Sequence, residues 1–155
     1  MRTLNVLFLC TGNSCRSQMA EALLRHHHGD RFVAYSAGME PKGVHPMTIE
    51  VLQESGIDTA PLRSKSVTEY LGRLWVHYLV IVCQHAQESC PRIFPGMVER
   101  FSWQFDDPPA FEGSDEAKLE KFRQVRDQIE AAIHRWVEQL DATGQLEQVS
   151  GGQVG

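Results

Sequence analysis

Four cysteines fall in two pairs, Cys10 with Cys15 and Cys83 with Cys90, and the first pair brackets a run that could hold an anion. From Cys10 the chain reads Thr11, Gly12, Asn13, Ser14, Cys15, Arg16, Ser17. That is a thiol, five small or turn-forming residues, then an arginine. Backbone N–H groups of such a loop can converge on a tetrahedral oxyanion, and a helix beginning at Arg16 adds its partial positive charge. Arg16 itself offers a planar fork to two oxygens. The same field favours the thiolate, the nucleophilic form of cysteine, at Cys10. Ser17 could donate a further hydrogen bond to that sulfur. Gly12 and Asn13 suit the loop mechanically, because a turn this tight needs left-handed or close-approach backbone at one or both positions. Two blander readings compete: a buried, inert thiol at a strand end, and a four-sulfur zinc site. The spacings of five and seven residues within the pairs are wider than the usual zinc knuckle and Arg16 would repel the ion, so no metal is expected.

These residues need elements to position them. Residues 4–9 form a short, nearly continuous apolar run that suits a strand covered on both faces. A helix follows from Ser17, with Met19, Ala20, Leu23 and Leu24 at spacings of three and four, until Gly29. Residues 32–37 read as a second strand, and Pro46 opens a helix closed by Gly56. A weaker helical segment runs to about Trp75, and residues 78–83 give a third, buried strand. Phe101, Trp103 and Phe105 alternate with polar residues, a fourth strand stopping at Asp107 and Pro108. Leu119, Phe122, Val125, Ile129, Ile133, Trp136 and Leu140 then mark one long amphipathic helix. The pattern predicts a single α/β domain over residues 1–140, a four-stranded parallel sheet with helices on both faces, and a flexible polar tail over 141–155. In such a sheet the ligand crevice lies at the carboxyl ends of the strands. Cys10, Cys83 and Asp107 share that address.

At 155 residues the chain has room for one core. Its longest unbroken apolar run spans six residues, 78–83, against about 20 for a membrane span, and no secretory signal pattern opens it. A cytoplasmic protein without a membrane partner is expected. The formal charge of -5 excludes a general attraction for nucleic acid. An anionic substrate must therefore be drawn locally. In a reducing compartment the cysteines are buried, metal-binding or catalytic rather than permanently bridged.

Residues 10–21, with Tyr35, Ser36, Ala37 and Gly38, then Phe105, Asp106, Asp107 and Pro108, then residues 122–129, closely resemble the low-molecular-weight protein tyrosine phosphatase superfamily. Within it the chain is most similar to the thioredoxin-coupled arsenate reductases. The resemblance implies Cys10 as nucleophile, Arg16 and the loop Thr11, Gly12, Asn13, Ser14, Cys15 and Ser17 as the oxyanion cradle, and Asp107, the residue before proline, as general acid in preference to Asp106. It also implies that Cys83 and Cys90 flank a mobile segment over 84–89 and relay a disulfide to thioredoxin. Reducing arsenate takes two electrons, which two thiols supply on becoming a disulfide. Hydrolysis of a phosphate ester needs only the first thiol and water, so a phosphatase is the alternative reading and a non-catalytic thiol or zinc sensor the second. Pro109 and Ala110 stand where the phosphatase branch places tyrosines, which favours the small inorganic substrate.

No cofactor is implied, and a monomer is expected. Some relatives hold a potassium ion through residues matching Asn13, Glu21 and Ser36 and an aspartate whose place is taken here by Lys65. Asn13, Glu21 and Ser36 are therefore expected to brace the loop by hydrogen bonds. Cys15 is expected to be dispensable, and His26, His27 and His28 to be a solvated helix end.

Overall fold

Leu4–Cys10 forms the central strand β1, buried at six of its seven positions, as expected of an almost unbroken apolar run. The computed structural model describes residues 3–82 and 99–143. Within these, Phe32–Gly38 is β2, Tyr78–Ile81 is β3 and Glu99–Ser102 is β4. Every pairing is parallel and the order is β2-β1-β3-β4. The chain therefore leaves β1 in one direction to reach β2 and in the other to reach β3. The crevice past the carboxyl ends of β1 and β3 is the topological switch point of the sheet. Cys10 closes β1 at that crevice, in register with Gly38.

Among the described residues three α-helices accompany the sheet: α1 over Arg16–His28, α2 over Pro46–Glu54 and α3 over Asp115–Thr143. α1 starts with no side-chain cap and no acidic residue in its first turn, so its own first turn leaves its positive end unneutralised. α2 starts on Pro46, with the His45 ring accepting from the Met47 N–H. Ser114 accepts from the Ala117 N–H, and Asp115 and Glu116 follow in the first turn, which starts α3. Trp136 of α3 lies 5.4 Å from the Phe32 ring and meets Tyr78 and Phe101 edge-on at 5.3 and 5.7 Å. One indole thus ties α3 to β2, β3 and β4. On the other face of β2, Tyr35 packs edge-on against Tyr70 at 5.4 Å.

Three expectations are corrected. The helix predicted up to Trp75 is a single 3-10 turn, Val67–Glu69. Leu71 and Trp75 are exposed and Gly72 is left-handed at φ 77°, so the stretch has no continuous apolar face to bury. The fourth strand ends at Ser102, although Trp103 donates once more to the Ile81 carbonyl. Beyond it the chain turns to the crevice, where Phe105 presents its carbonyl to Arg16. α3 also passes the expected boundary at 140, and Asp141 in its last turn pairs with Arg31. Cys83, Cys90, the 84–89 segment and the tail from 144 lie outside the described residues. Among the described residues no helix is long and apolar enough to cross a membrane.

Candidate active site

The loop between β1 and α1 is turned by its own carbonyls. Those of Cys10, Thr11, Gly12 and Ser14 accept from the N–H groups of Met39, Glu40, Lys42 and His45. The segment joining β2 to α2 therefore clasps the loop from outside. With these carbonyls committed there, trans peptide geometry turns the N–H groups that follow them to the opposite side of each peptide. The turn itself is made at Asn13, at φ 47°, while Gly12 keeps an ordinary backbone. Gly38 proves to be the glycine the loop depends on. A Cβ there would sit 2.7 Å from the Thr11 carbonyl oxygen and 2.8 Å from the Asn13 nitrogen, a clash with backbone that has no flexible end to yield.

Cys10 is buried, and its sulfur lies 2.8 Å from the Ser17 hydroxyl in the first turn of α1. The Asn13 amide donates to that same hydroxyl at 2.8 Å. Because Ser17 oxygen accepts from Asn13, its own proton is free to point at the sulfur. Arg16 places one guanidinium nitrogen 3.1 Å from the Phe105 carbonyl and another 3.6 Å from the Asp107 carboxylate. Asp107 is half exposed. Cys10, Arg16 and Asp107 line one cleft of about 690 Å³ together with Thr11, Gly12, Ser14 and Cys15. That volume admits a bulky ester as readily as a bare oxyanion, so space alone does not choose a substrate.

Behind the loop lies a buried polar brace. The Gln18 amide donates to the carbonyl and side-chain oxygens of Asn13 and to the Arg63 carbonyl, and the Lys65 N–H donates to the Asn13 side chain at 2.8 Å. Glu21 accepts from the Ser36 hydroxyl at 2.7 Å and from Arg25 at 2.6 Å. The Lys65 ammonium stands 3.5 Å from both Glu21 and Ser36 and 2.6 Å from the Arg63 carbonyl. Asn13, Glu21 and Ser36 thus brace the loop as expected, with the Lys65 charge among them. Burial pushes the Lys65 ammonium down from its ordinary range and Glu21 opposes that shift. Cys15 stands just before α1 without a capping bond and is buried beside Ser14 and Thr48, and this burial pushes its thiol up to about 11. It stays protonated at neutral pH.

Sequence reasoning missed Lys42 and His45, which also line the cleft. Lys42 adds a positive side chain beside Gly12. His45 stacks on Phe122 at 4.9 Å and is pushed down chiefly by burial, then by Lys118, with Asp107 opposing. Nothing in the spacing of residues 39–45 marks them, because their place depends on the clasp around the loop.

Residues 5–146 match the low molecular weight phosphotyrosine protein phosphatase family. An arsenate reductase of Halalkalibacterium halodurans is 43% identical over 133 residues, 86% of this chain and 94% of that protein. The solved thioredoxin-dependent arsenate reductase of Corynebacterium glutamicum superposes with a TM-score of 0.71 at 27% identity, over 91% of this chain and 63% of the other. An arginine phosphatase from Geobacillus stearothermophilus superposes equally well, with a TM-score of 0.71 at 29% identity over 93% and 96% of the two chains.

Proposed function

The chain belongs to the low molecular weight phosphotyrosine protein phosphatase family, and from that premise we propose that it reduces arsenate to arsenite with Cys10 as nucleophile. The observation that carries the reading is the Cys10 sulfur, 2.8 Å from the Ser17 hydroxyl at the positive end of α1, in one cleft with Arg16 and Asp107. The choice of reductase over phosphatase is supported by the 43% identical relative and by Cys83 and Cys90 in the sequence.

Arsenate binds against Arg16 and the N–H groups of the loop over Thr11, Gly12, Asn13, Ser14, Cys15 and Ser17. The Cys10 thiolate attacks arsenic, Asp107 protonates the departing oxygen, and water leaves a thiol-arsenate adduct. Cys83 then attacks the Cys10 sulfur. The electron pair of the broken S–As bond stays on arsenic, which departs as arsenite, while two thiols become the Cys10–Cys83 disulfide. Cys90 attacks Cys83, freeing Cys10, and thioredoxin reduces the Cys83–Cys90 bridge. Val82, the residue before Cys83, donates to the Leu9 carbonyl, one residue from the nucleophile. The protein works as a cytoplasmic monomer, where thiols are kept reduced, with neither nucleic acid nor membrane as partner.

Turnover assays with thioredoxin, its reductase and NADPH test the scheme, run beside aryl phosphate hydrolysis. Cys10→Ser abolishes both activities. Cys83→Ser and Cys90→Ser stop coupled arsenate reduction but spare any aryl phosphate hydrolysis. Full arsenate turnover in Cys83→Ser would overturn the relay, whereas aryl phosphate hydrolysis by the parent with no arsenate turnover would leave the phosphatase reading, which the arginine phosphatase neighbour supports.

A further inference from the structure

The reaction leaves the far end of α1 unused. His26, His27 and His28 occupy its last turn, about 18 Å along the axis from Arg16 at 1.5 Å per residue. Three consecutive helical side chains diverge by about 100° each, so this tract cannot close on one ion by itself. α3 supplies what is missing. Glu130 and His134 are four apart and share one face of that helix. One ligand atom each from His27, Glu130 and His134 lie within 4.8 Å of one another, and His27 Nε2 is 3.6 Å from a Glu130 oxygen.

We propose that His27, Glu130 and His134 bind a borderline divalent cation of the zinc type, clamping the end of α1 to α3. Two imidazoles and one carboxylate are a donor set that such ions take, with water completing the shell. Ligand atoms around a tetrahedral centre with bonds of about 2.1 Å stand about 3.4 Å apart. The His27–Glu130 pair already meets that spacing, and His27 is exposed enough to rotate. His28 Nε2 contacts His134 Nδ1 at 3.1 Å, which holds the His134 ring and leaves its Nε2 as the free nitrogen, as an outer partner does for a metal-bound histidine. Arg31, whose charge reaches neighbouring His28, is engaged by Asp141. A simple ion pair between His27 and Glu130 would not require His134 to converge on them.

Titration of the reduced, untagged protein with cobalt, followed by visible absorption, and competition by zinc test the site. Expected are one equivalent of cobalt bound without the intense near-ultraviolet band of a cobalt–thiolate bond, and displacement by zinc. His134→Ala and Glu130→Gln each weaken zinc at least tenfold. His26→Ala stays within twofold of the parent, and arsenate turnover is unchanged in all three. Glu130 is partly exposed and glutamine has its shape, so loss of binding in that variant does not come from unfolding. A thiolate band lost in Cys10→Ser, unchanged zinc affinity in Glu130→Gln and His134→Ala, or absence of saturable binding would each overturn the proposal.

Discussion

Ser17 accepts from Asn13 and faces Cys10, so the order of donors along this short chain fixes where the hydroxyl proton goes. In the proposed mechanism, deleting the hydroxyl removes a hydrogen bond to the attacking thiolate, about 1.5–3 kcal/mol. Ser17→Ala is therefore expected to lower kcat for arsenate by roughly 10- to 100-fold while KM changes little, because Arg16 and the loop still hold the anion. Steady-state kinetics with the thioredoxin system measure this, and a kcat within twofold of the parent would remove Ser17 from the reaction. Cys10, Arg16 and Ser17 were legible in the sequence because their relation is local, a thiol and a helix start seven residues apart at most. The role of Asn13 was half legible. Its left-handed backbone follows from a tight turn, but its bond to Ser17 depends on how the side chain packs.

Among the elements, β1, β2, β3, α1 and α3 announce themselves through apolar runs or a helical period, because each buries a face of its own sequence. The clasp over 39–45 and the stretch up to Trp75 do not, since long-range contacts shape them. Lys65 illustrates the difference. Its sequence position suggested only that a bound cation would be repelled, whereas the fold makes its ammonium a buried partner of Glu21. Removing one member of a buried pair leaves the other uncompensated, at about 3–5 kcal/mol. Arg25 still engages the second Glu21 oxygen, so Lys65→Met is expected near the lower end, about 3 kcal/mol. The Lys65 backbone N–H to Asn13 survives the change, so the loop keeps its register. Urea unfolding of Lys65→Met, Glu21→Gln and the double variant tests this. The double variant is expected to be more stable than Lys65→Met, since it carries no unpaired buried charge. Strictly additive losses would sink the pairing.

Across the whole molecule, burial of acidic protons gives stability a direction in pH. Burial raises Cys15 from its ordinary 9.0 to about 11, and Tyr70 and Tyr78 from 10.0 to about 12. The unfolded chain releases these protons first, so between pH 9 and 12 the native state binds more of them. Their contribution to stability is complete below pH 9 and is lost as pH rises through 11 to 12. Lys65 acts oppositely, being pushed down by burial: the unfolded chain holds that proton longer, which lifts stability slightly as pH climbs toward its ordinary 10.5. One group does not offset three. Cys15 alone accounts for about 2–3 kcal/mol of the alkaline loss. Urea midpoints under reducing conditions at pH 8, 9, 10 and 11 are expected to hold to pH 9 and then fall. Cys15→Ser, whose hydroxyl does not titrate in this range, is expected to start less stable and fall more gently between pH 9 and 11. Parallel curves for the two proteins would show that the loss arises from general charge repulsion rather than from the buried thiol beside the nucleophile.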